Sequence, residues 1–201
     1  MFKGSNTMKK LLIATIAVAS FSTSTTYANE VFSDLSYTSG LSGVKSEAVE
    51  NLTNCLQADM EIASSKAIRA CSKAYKASIP SYEVRSRILT QRGLLQLSAG
   101  RYDKASNDFK RAAKLNDENE FAYLGEGYAA LMDQDFAQAI KLFNDCRTHD
   151  GAAPLAMYGL AMTKEMTGDI EGAVSYYTEA ATMRPDWSAP RGGLNRVRSA
   201  L

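Results

Sequence analysis

The sequence has few of the residues on which catalytic and metal sites are usually built. One histidine and three cysteines occur among 201 residues, and their spacing matches neither a zinc site nor a nucleophile with its base. An excess of positive charge is also lacking, with 23 Lys and Arg against 22 Asp and Glu, which argues against binding nucleic acid through phosphates. We therefore predict no catalytic, metal-binding or cofactor-binding residue, no cofactor and no nucleic-acid partner.

Long hydrophobic runs are lacking as well. The apolar run at 11–19 is much shorter than the ~20 residues that span a bilayer, so no integral membrane anchor is expected. The run follows two lysines and precedes a stretch of small residues that ends at Ala28, a pattern typical of a secretory signal peptide. We expect cleavage near Ala28 and export across the inner membrane to a bacterial periplasm. Whether Met1 or Met8 is the start stays open.

A period of 34 residues runs through the second half of the chain. Five columns agree in size and character over three copies without a gap. They contain Gly93, Gly127 and Ala161; Tyr102, Phe136 and Ile170; Ala105, Ala139 and Ala173; Phe109, Phe143 and Tyr177; and Ala112, Cys146 and Ala180. If each copy is two helices, the small residues allow close approach and the large ones fill the space between copies. Such helix pairs bury their apolar surface only by stacking.

This pattern resembles the tetratricopeptide-repeat (TPR) family, whose repeat is small at position 8, aromatic at 17, Ala at 20, aromatic at 24, small at 27 and Pro at 32. Repeats that start at Ser86, Glu120 and Pro154 reproduce it, although only the third keeps the proline, as Pro185. Gln134 stands where a turn glycine is usual, and Gly100 and Gly168 keep that turn in the other two repeats. The resemblance implies an all-α protein, a right-handed α-solenoid of stacked helix-turn-helix units with a C-terminal capping helix.

The expected domain organisation follows from this register. A signal peptide at 1–28 precedes a flexible leader at 29–45 and a TPR domain at 46–201. Within that domain we expect a degenerate repeat at 48–85, repeats at 86–119, 120–153 and 154–187, and a capping helix at 190–201. The alternative for the last segment is a basic tail that binds a partner.

Two of the cysteines fall in the degenerate repeat. Cys55 and Cys71 have the spacing of positions 8 and 24, in a copy that runs from Ala48 to Pro80 and is followed by a four-residue insertion. The two side chains would lie on facing helices, where a disulfide stabilises by ~3 kcal/mol, and export would place them in an oxidising compartment. Two buried free thiols are the alternative, and Cys146 is left over.

Three patterns that suggest chemistry have simpler explanations. The glycines of Gly125-Glu-Gly127-Tyr-Ala-Ala130 match a dinucleotide-binding pattern but fall inside a predicted helix rather than after a strand. His149 lies in a connection with no nucleophile placed beside it. The acidic residues Asp117, Glu118 and Glu120 lie at a helix start, where negative charge interacts favourably with the helix dipole.

A partner-binding groove is implied by the resemblance, because positions 2, 5, 9, 12 and 13 of each repeat commonly face the concave side in this family. The residues at these positions include Arg87, Thr90, Leu94, Phe121, Leu124, Tyr128, Met132, Leu155, Tyr158, Met162 and Met166. Such a groove suits a helix or extended segment with apolar anchors. Position 9 carries Leu94, Tyr128 and Met162 rather than Asn, so no carboxylate clamp is expected. Burial of Tyr128 and Tyr158 between helices would contradict the groove.

Three functions are compatible with these observations. The leading hypothesis is a non-enzymatic periplasmic adaptor or scaffold that binds another polypeptide in the apolar groove. The second is a self-associating structural protein of the cell envelope, in which the concave surface closes on another copy. The third is a secreted enzyme whose repeats recruit substrate, but no segment remains to carry its chemistry.

Overall fold

The computed structural model of the chain describes residues 46–58, 64–77, 79, 81–149 and 151–199. The predicted signal peptide and leader lie outside these residues, as do Pro80 and Leu201. The described residues contain nine α-helices and no strand. The helices are α1 (Ser46–Leu56), α2 (Ser65–Lys76), α3 (Tyr82–Ser98), α4 (Tyr102–Leu115), α5 (Glu120–Met132), α6 (Phe136–Cys146), α7 (Ala153–Thr167), α8 (Ile170–Met183) and α9 (Ser188–Arg198).

The first eight helices form four pairs that stack in chain order, each packed on the next. Helix starts follow from short polar residues placed before the apolar stretches. The side chain before each of five helices accepts a hydrogen bond from a backbone N–H of the first turn, which has no partner inside the helix. These capping residues are Ser64, Ser81, Asn119, Asp135 and Asp169. Because the described helices stack as pairs in chain order, the predicted all-α solenoid of stacked helix pairs is confirmed.

The turns inside the three later pairs use one backbone conformation. Gly100, Gln134 and Gly168 follow the first helix of each pair with φ of 71°, 66° and 84°. This left-handed region costs a non-glycine residue free energy because its Cβ approaches the backbone. Gln134 therefore keeps the expected turn with an unfavourable residue.

The large residues of the repeat fill the space between helices, as predicted. Phe109, Phe143 and Tyr177 are fully buried. Each ring lies against a glycine of the following first helix, and these glycines are Gly125, Gly159 and Gly193. A Cβ added to Gly159 would lie 2.5 Å from Phe143 Cζ, closer than real atoms approach. Glycine at this position therefore sets how closely successive pairs can stack.

Two helices begin earlier in the chain than the segment starts expected from the sequence. Helix α3 begins at Tyr82, four residues before the expected start of the first full repeat, so the residues assigned to an insertion form its first turn. Helix α9 begins at Ser188 rather than Pro190. Proline fits there because the first turn of a helix leaves its N–H groups unpaired.

Helix α9 covers the last pair. Its apolar side buries Leu194 and Val197, and Tyr177 of α8 packs against Gly193. Arg196 donates two hydrogen bonds to the Glu165 carboxylate of α7, at 2.6 and 2.7 Å, and so links α9 to that helix as well. These contacts are those of the predicted capping helix.

A disulfide joins Cys55 of α1 to Cys71 of α2, with the two Cα atoms 4.6 Å apart. The predicted pairing is therefore confirmed, and both side chains are fully buried. Cys146 is a buried free cysteine. None of the described helices is long and apolar enough to cross a membrane.

Candidate functional site

The candidate site is the surface that the predicted groove residues form on the first helices α3, α5 and α7. We call these eleven residues, from Arg87 to Met166, the first-helix face. Seven of them are buried and four are half-buried. The buried ones are Thr90, Leu124, Tyr128, Met132, Leu155, Tyr158 and Met162. The prediction that these seven side chains are accessible in an open groove is therefore wrong.

The two tyrosines are buried because they join neighbouring helices. The Tyr128 hydroxyl of α5 donates a 2.8 Å hydrogen bond to the Leu155 carbonyl of α7, and its ring meets Phe143 edge to face at 4.9 Å. Burial, followed by the nearby Tyr158 and Cys146, raises the pKa of Tyr128 well above its usual range, so the hydroxyl stays a donor. Tyr128 thus stabilises the stack of first helices.

Tyr158 is covered from the C-terminal end of the solenoid. Its ring centroid lies 4.9 Å from that of Trp187, in the connection before α9, and 5.5 Å from that of Tyr177. Trp187 is itself only 5% exposed. Tyr158, which the sequence places in the groove, therefore belongs to the core at this end of the chain.

Thr90 is buried because its hydroxyl belongs to a hydrogen-bond network between helices. Its hydroxyl donates to the Ser86 carbonyl within α3 and accepts a 3.0 Å hydrogen bond from the Asn119 side-chain amide. The same amide group donates to the Ser86 hydroxyl at 2.8 Å. Asn119 also caps α5, so this network fixes the start of α5 against α3.

Four members of the first-helix face keep part of their surface accessible. Leu94, Phe121 and Met166 are half-buried and pack against the core cluster, and one of them lies on each of α3, α5 and α7. Arg87 forms a 2.7 Å ion pair with Glu83 one turn earlier, with 23% of its side chain exposed. The accessible part of the face is thus mainly apolar and extends over three consecutive first helices.

Three of the residues that the sequence suggested as candidates for catalysis lie in connections between helices. His149 is exposed after α6, and its carbonyl accepts hydrogen bonds from the Ala152 and Ala153 N–H groups. Asp117 and Glu118 are exposed in the turn before α5. In the described part of the chain, no three His, Cys, Asp or Glu side chains are grouped so that they hold a metal ion.

The remaining cysteine is also part of the packing. Cys146, at the end of α6, is 2% exposed. Burial, with smaller effects of Asp145 and Glu120, raises the pKa of its thiol to about 12. The thiolate is therefore scarce at neutral pH, which makes this side chain a poor nucleophile.

Two structural features were missed at the level of sequence. The glycines Gly125, Gly159 and Gly193 are 34 residues apart, so the same period contains the column that receives the aromatic rings. Its third member lies in α9, which shows that the last helix keeps the register of a first helix. Trp187 gave no such signal, because it occurs once and follows the last full repeat.

Stacked helix pairs define a helical-repeat scaffold, an architecture in which each pair contacts its neighbours. Two family models described as tetratricopeptide repeat match this chain, at residues 90–148 and 155–186. These two segments of the chain are tetratricopeptide repeats. Proteins built from this repeat generally act as interaction modules rather than as enzymes.

The comparison with solved structures agrees on the fold. MamA from AMB-1 is similar with a TM-score of 0.54, over 77% of this chain and 86% of that chain. The two sequences are 12% identical, so the likeness concerns the fold alone. No curated protein matches the sequence.

Proposed function

We propose that this protein is an exported adaptor that holds a polypeptide segment against the accessible part of its first-helix face. The observation that carries the proposal is the placement of Leu94, Phe121 and Met166, one on each of three successive first helices. An extended segment or helix with spaced apolar side chains is the kind of partner that contacts apolar anchors on several helices. The partner is thus a protein with an apolar segment, in the cell envelope.

The buried tyrosines have a supporting role in this proposal. Tyr128 and Tyr158 hold α5, α7 and the start of α9 together, so the accessible anchors rest on rigid helices. A rigid surface loses little conformational freedom when a partner binds. The binding surface is also narrower than the one expected from the repeat positions alone.

Export is supported by two independent features. The segment that ends at Ala28 has the charged, apolar and small-residue regions of a signal peptide. The disulfide between Cys55 and Cys71 is typical of an oxidising compartment such as the periplasm. The proposed location is the periplasm.

Site-specific photo-crosslinking tests the proposed surface. Phe121 is replaced by benzoylphenylalanine, which keeps an aromatic side chain at that position. The matched control carries the same residue at Met183 of α8, which is 45% exposed and lies on a second helix. Cells are irradiated, and the products are identified by mass spectrometry.

The proposal expects a product with an envelope protein from position 121 and none from position 183. Replacing Leu94 and Met166 by serine in the Phe121-labelled chain should then abolish that product while circular dichroism shows an unchanged helix content. Equal products from both positions would overturn the proposed surface. A product that joins two copies would favour the self-associating structural protein instead.

A further inference from the structure

A cluster of positive charge surrounds Tyr75 near the end of α2. The guanidinium carbons of Arg85, Arg92 and Arg111 lie 5.0, 5.9 and 4.9 Å from the centre of the Tyr75 ring. Arg85 also donates a 3.3 Å hydrogen bond to the Tyr75 hydroxyl. We call these four residues the arginine–tyrosine cluster. It lies where α2, α3 and α4 meet, and none of its members belongs to the first-helix face.

One of the three arginines has a complete set of partners. Arg92 makes two hydrogen bonds to the Asp108 carboxylate, at 2.7 and 2.5 Å, and a third to the Ser72 hydroxyl at 3.1 Å. Gln96 donates a further 2.8 Å bond to the same carboxylate. Because the Asp108 side chain is 3% exposed, this network is a structural link between α2, α3 and α4.

The other two arginines, Arg85 and Arg111, are not needed for the hydrogen bonds of that network. Arg111 reaches Asp108 only at 3.8 Å, and 42% of its side chain is exposed. The Nε atom of Arg85 is buried without a hydrogen-bond partner. A buried donor without a partner is unfavourable. Arg92 and Gln96 thus already occupy the Asp108 carboxylate, which Arg111 only approaches.

The effect of this charge is evident at Tyr75 itself. Burial acts to raise the pKa of its hydroxyl, but the hydrogen bonds and positive charges of Arg111 and Arg85 outweigh burial and lower it. The surroundings of the ring thus favour negative charge at this point.

The repeat architecture does not require two of these arginines, Arg92 and Arg111. Arg92 is at repeat position 7, where the later repeats have Glu126 and Leu160. Arg111 is at position 26, where they have Asp145 and Glu179. The later pairs stack without a positive charge at either position. The cluster is therefore a feature of α2–α4 and not of the fold.

We propose that the arginine–tyrosine cluster binds the carboxylates of an acidic polypeptide segment of a partner protein. The planar fork of a guanidinium matches a carboxylate through two parallel hydrogen bonds. Contact with the Tyr75 ring, at 5.0 and 4.9 Å from its centre, orders Arg85 and Arg111 and so reduces the conformational freedom lost on binding. This site is independent of the first-helix face, and either can fail without the other.

Peptide titration tests the cluster directly. The full chain with its disulfide is titrated with a fluorescent ten-residue peptide of alternating Asp and Glu, and with a matched peptide of Asn and Gln. Wild type is compared with Arg111→Gln, which removes an exposed guanidinium. The matched control, Lys110→Gln, removes the same charge from the preceding residue of α4, whose side chain is 58% exposed.

We expect the acidic peptide alone to bind, with a dissociation constant that Arg111→Gln weakens by about tenfold and Lys110→Gln by less than about twofold. Equal weakening by the two variants would overturn the proposal, since it would show attraction by net charge alone. Loss of thermal stability in Arg111→Gln is checked by melting. If that variant melts early, Tyr75→Ala, which removes the ring that orients both arginines, replaces it and must also weaken binding.

Two other occupants are distinguished in the same titration. Inorganic tripolyphosphate that binds at the cluster while the acidic peptide does not would overturn the polypeptide and indicate a phosphate site. Self-association that Arg111→Gln abolishes, in a chain that ignores the peptide, would likewise overturn it in favour of a second copy.

Discussion

The first helix pair and the later pairs join the same two repeat positions by different means. In α1 and α2, positions 8 and 24 are Cys55 and Cys71, which form a disulfide. In α5 and α6 they are Gly127 and Phe143, where the ring lies against the glycine backbone. Both pairs of residues are 16 positions apart. The repeat thus requires close approach of two helices at this point, and either a covalent bond or an aromatic ring satisfies it.

The difference extends to what surrounds the two joints. The first pair belongs to a separate core cluster with Leu52, Ala74 and Ile88, which contains few aromatic rings. Around Phe143 the core continues through Tyr128, Tyr158 and Tyr177 to Trp187. The first pair thus has fewer large apolar side chains around its joint, where the disulfide provides a covalent link.

The largest effect is expected from Phe143→Ala. The ring contacts glycines on both α5 and α7, so truncation leaves a cavity that the backbone cannot close without moving two helices. We expect the free energy of unfolding to fall by about 3–5 kcal/mol, measured by urea denaturation. As a control, Phe136→Ala at the half-buried start of α6 should lower the free energy of unfolding by clearly less. Equal losses in the two variants would contradict the role given to the ring.

A smaller and more local effect is expected from removing the disulfide. The double variant Cys55→Ala, Cys71→Ala should lose about 3 kcal/mol of stability, because the unfolded chain gains the freedom of an open loop. In a stacked repeat the loss is expected mainly in α1 and α2, since each pair contacts only its neighbours. Amide hydrogen exchange measures this difference between helices.

The control for the disulfide is Cys146→Ala, which removes a thiol of the later region. It should leave exchange in α1 and α2 unchanged. Faster exchange by the same factor in α1, α2 and α8 of the double variant would contradict the comparison, because it would mean that the two regions unfold as one unit.

The fold and the disulfide could be predicted because each depends on spacing along the chain. The columns of Gly93 and Phe109 set the period, and the same spacing placed Cys55 opposite Cys71. These relations lie within one repeat or between neighbouring copies. Residue spacing alone is therefore enough to reveal them.

The candidate site was predicted less well because accessibility depends on which neighbour covers a position. Tyr158 has the register of a groove residue, but Trp187, 29 residues later, lies over its ring. The arginine–tyrosine cluster was missed for a related reason. Its members come from three helices and follow no repeat column, so no spacing in the sequence brings Tyr75 and Arg111 together.

The smallest effect on stability is expected at the turn inside the second full repeat. Gln134 has the left-handed conformation that Gly100 and Gly168 occupy at equivalent turns, and its side chain is exposed. Gln134→Gly should therefore stabilise by about 0.5–1 kcal/mol, because relief of backbone strain exceeds the extra freedom of glycine in the unfolded chain. The measurement is the urea midpoint at an unchanged slope.

Two further substitutions separate backbone strain from side-chain contacts. Gln134→Ala keeps the Cβ and should leave stability nearly unchanged, whereas Gly168→Ala should lose about 1 kcal/mol. A Cβ at Gly168 meets no atom within 4 Å, so that loss has its origin in the backbone alone. If Gln134→Gly instead lowers the midpoint, the glutamine side chain stabilises its turn. The second repeat would then differ from its neighbours by a favourable contact rather than by stored strain.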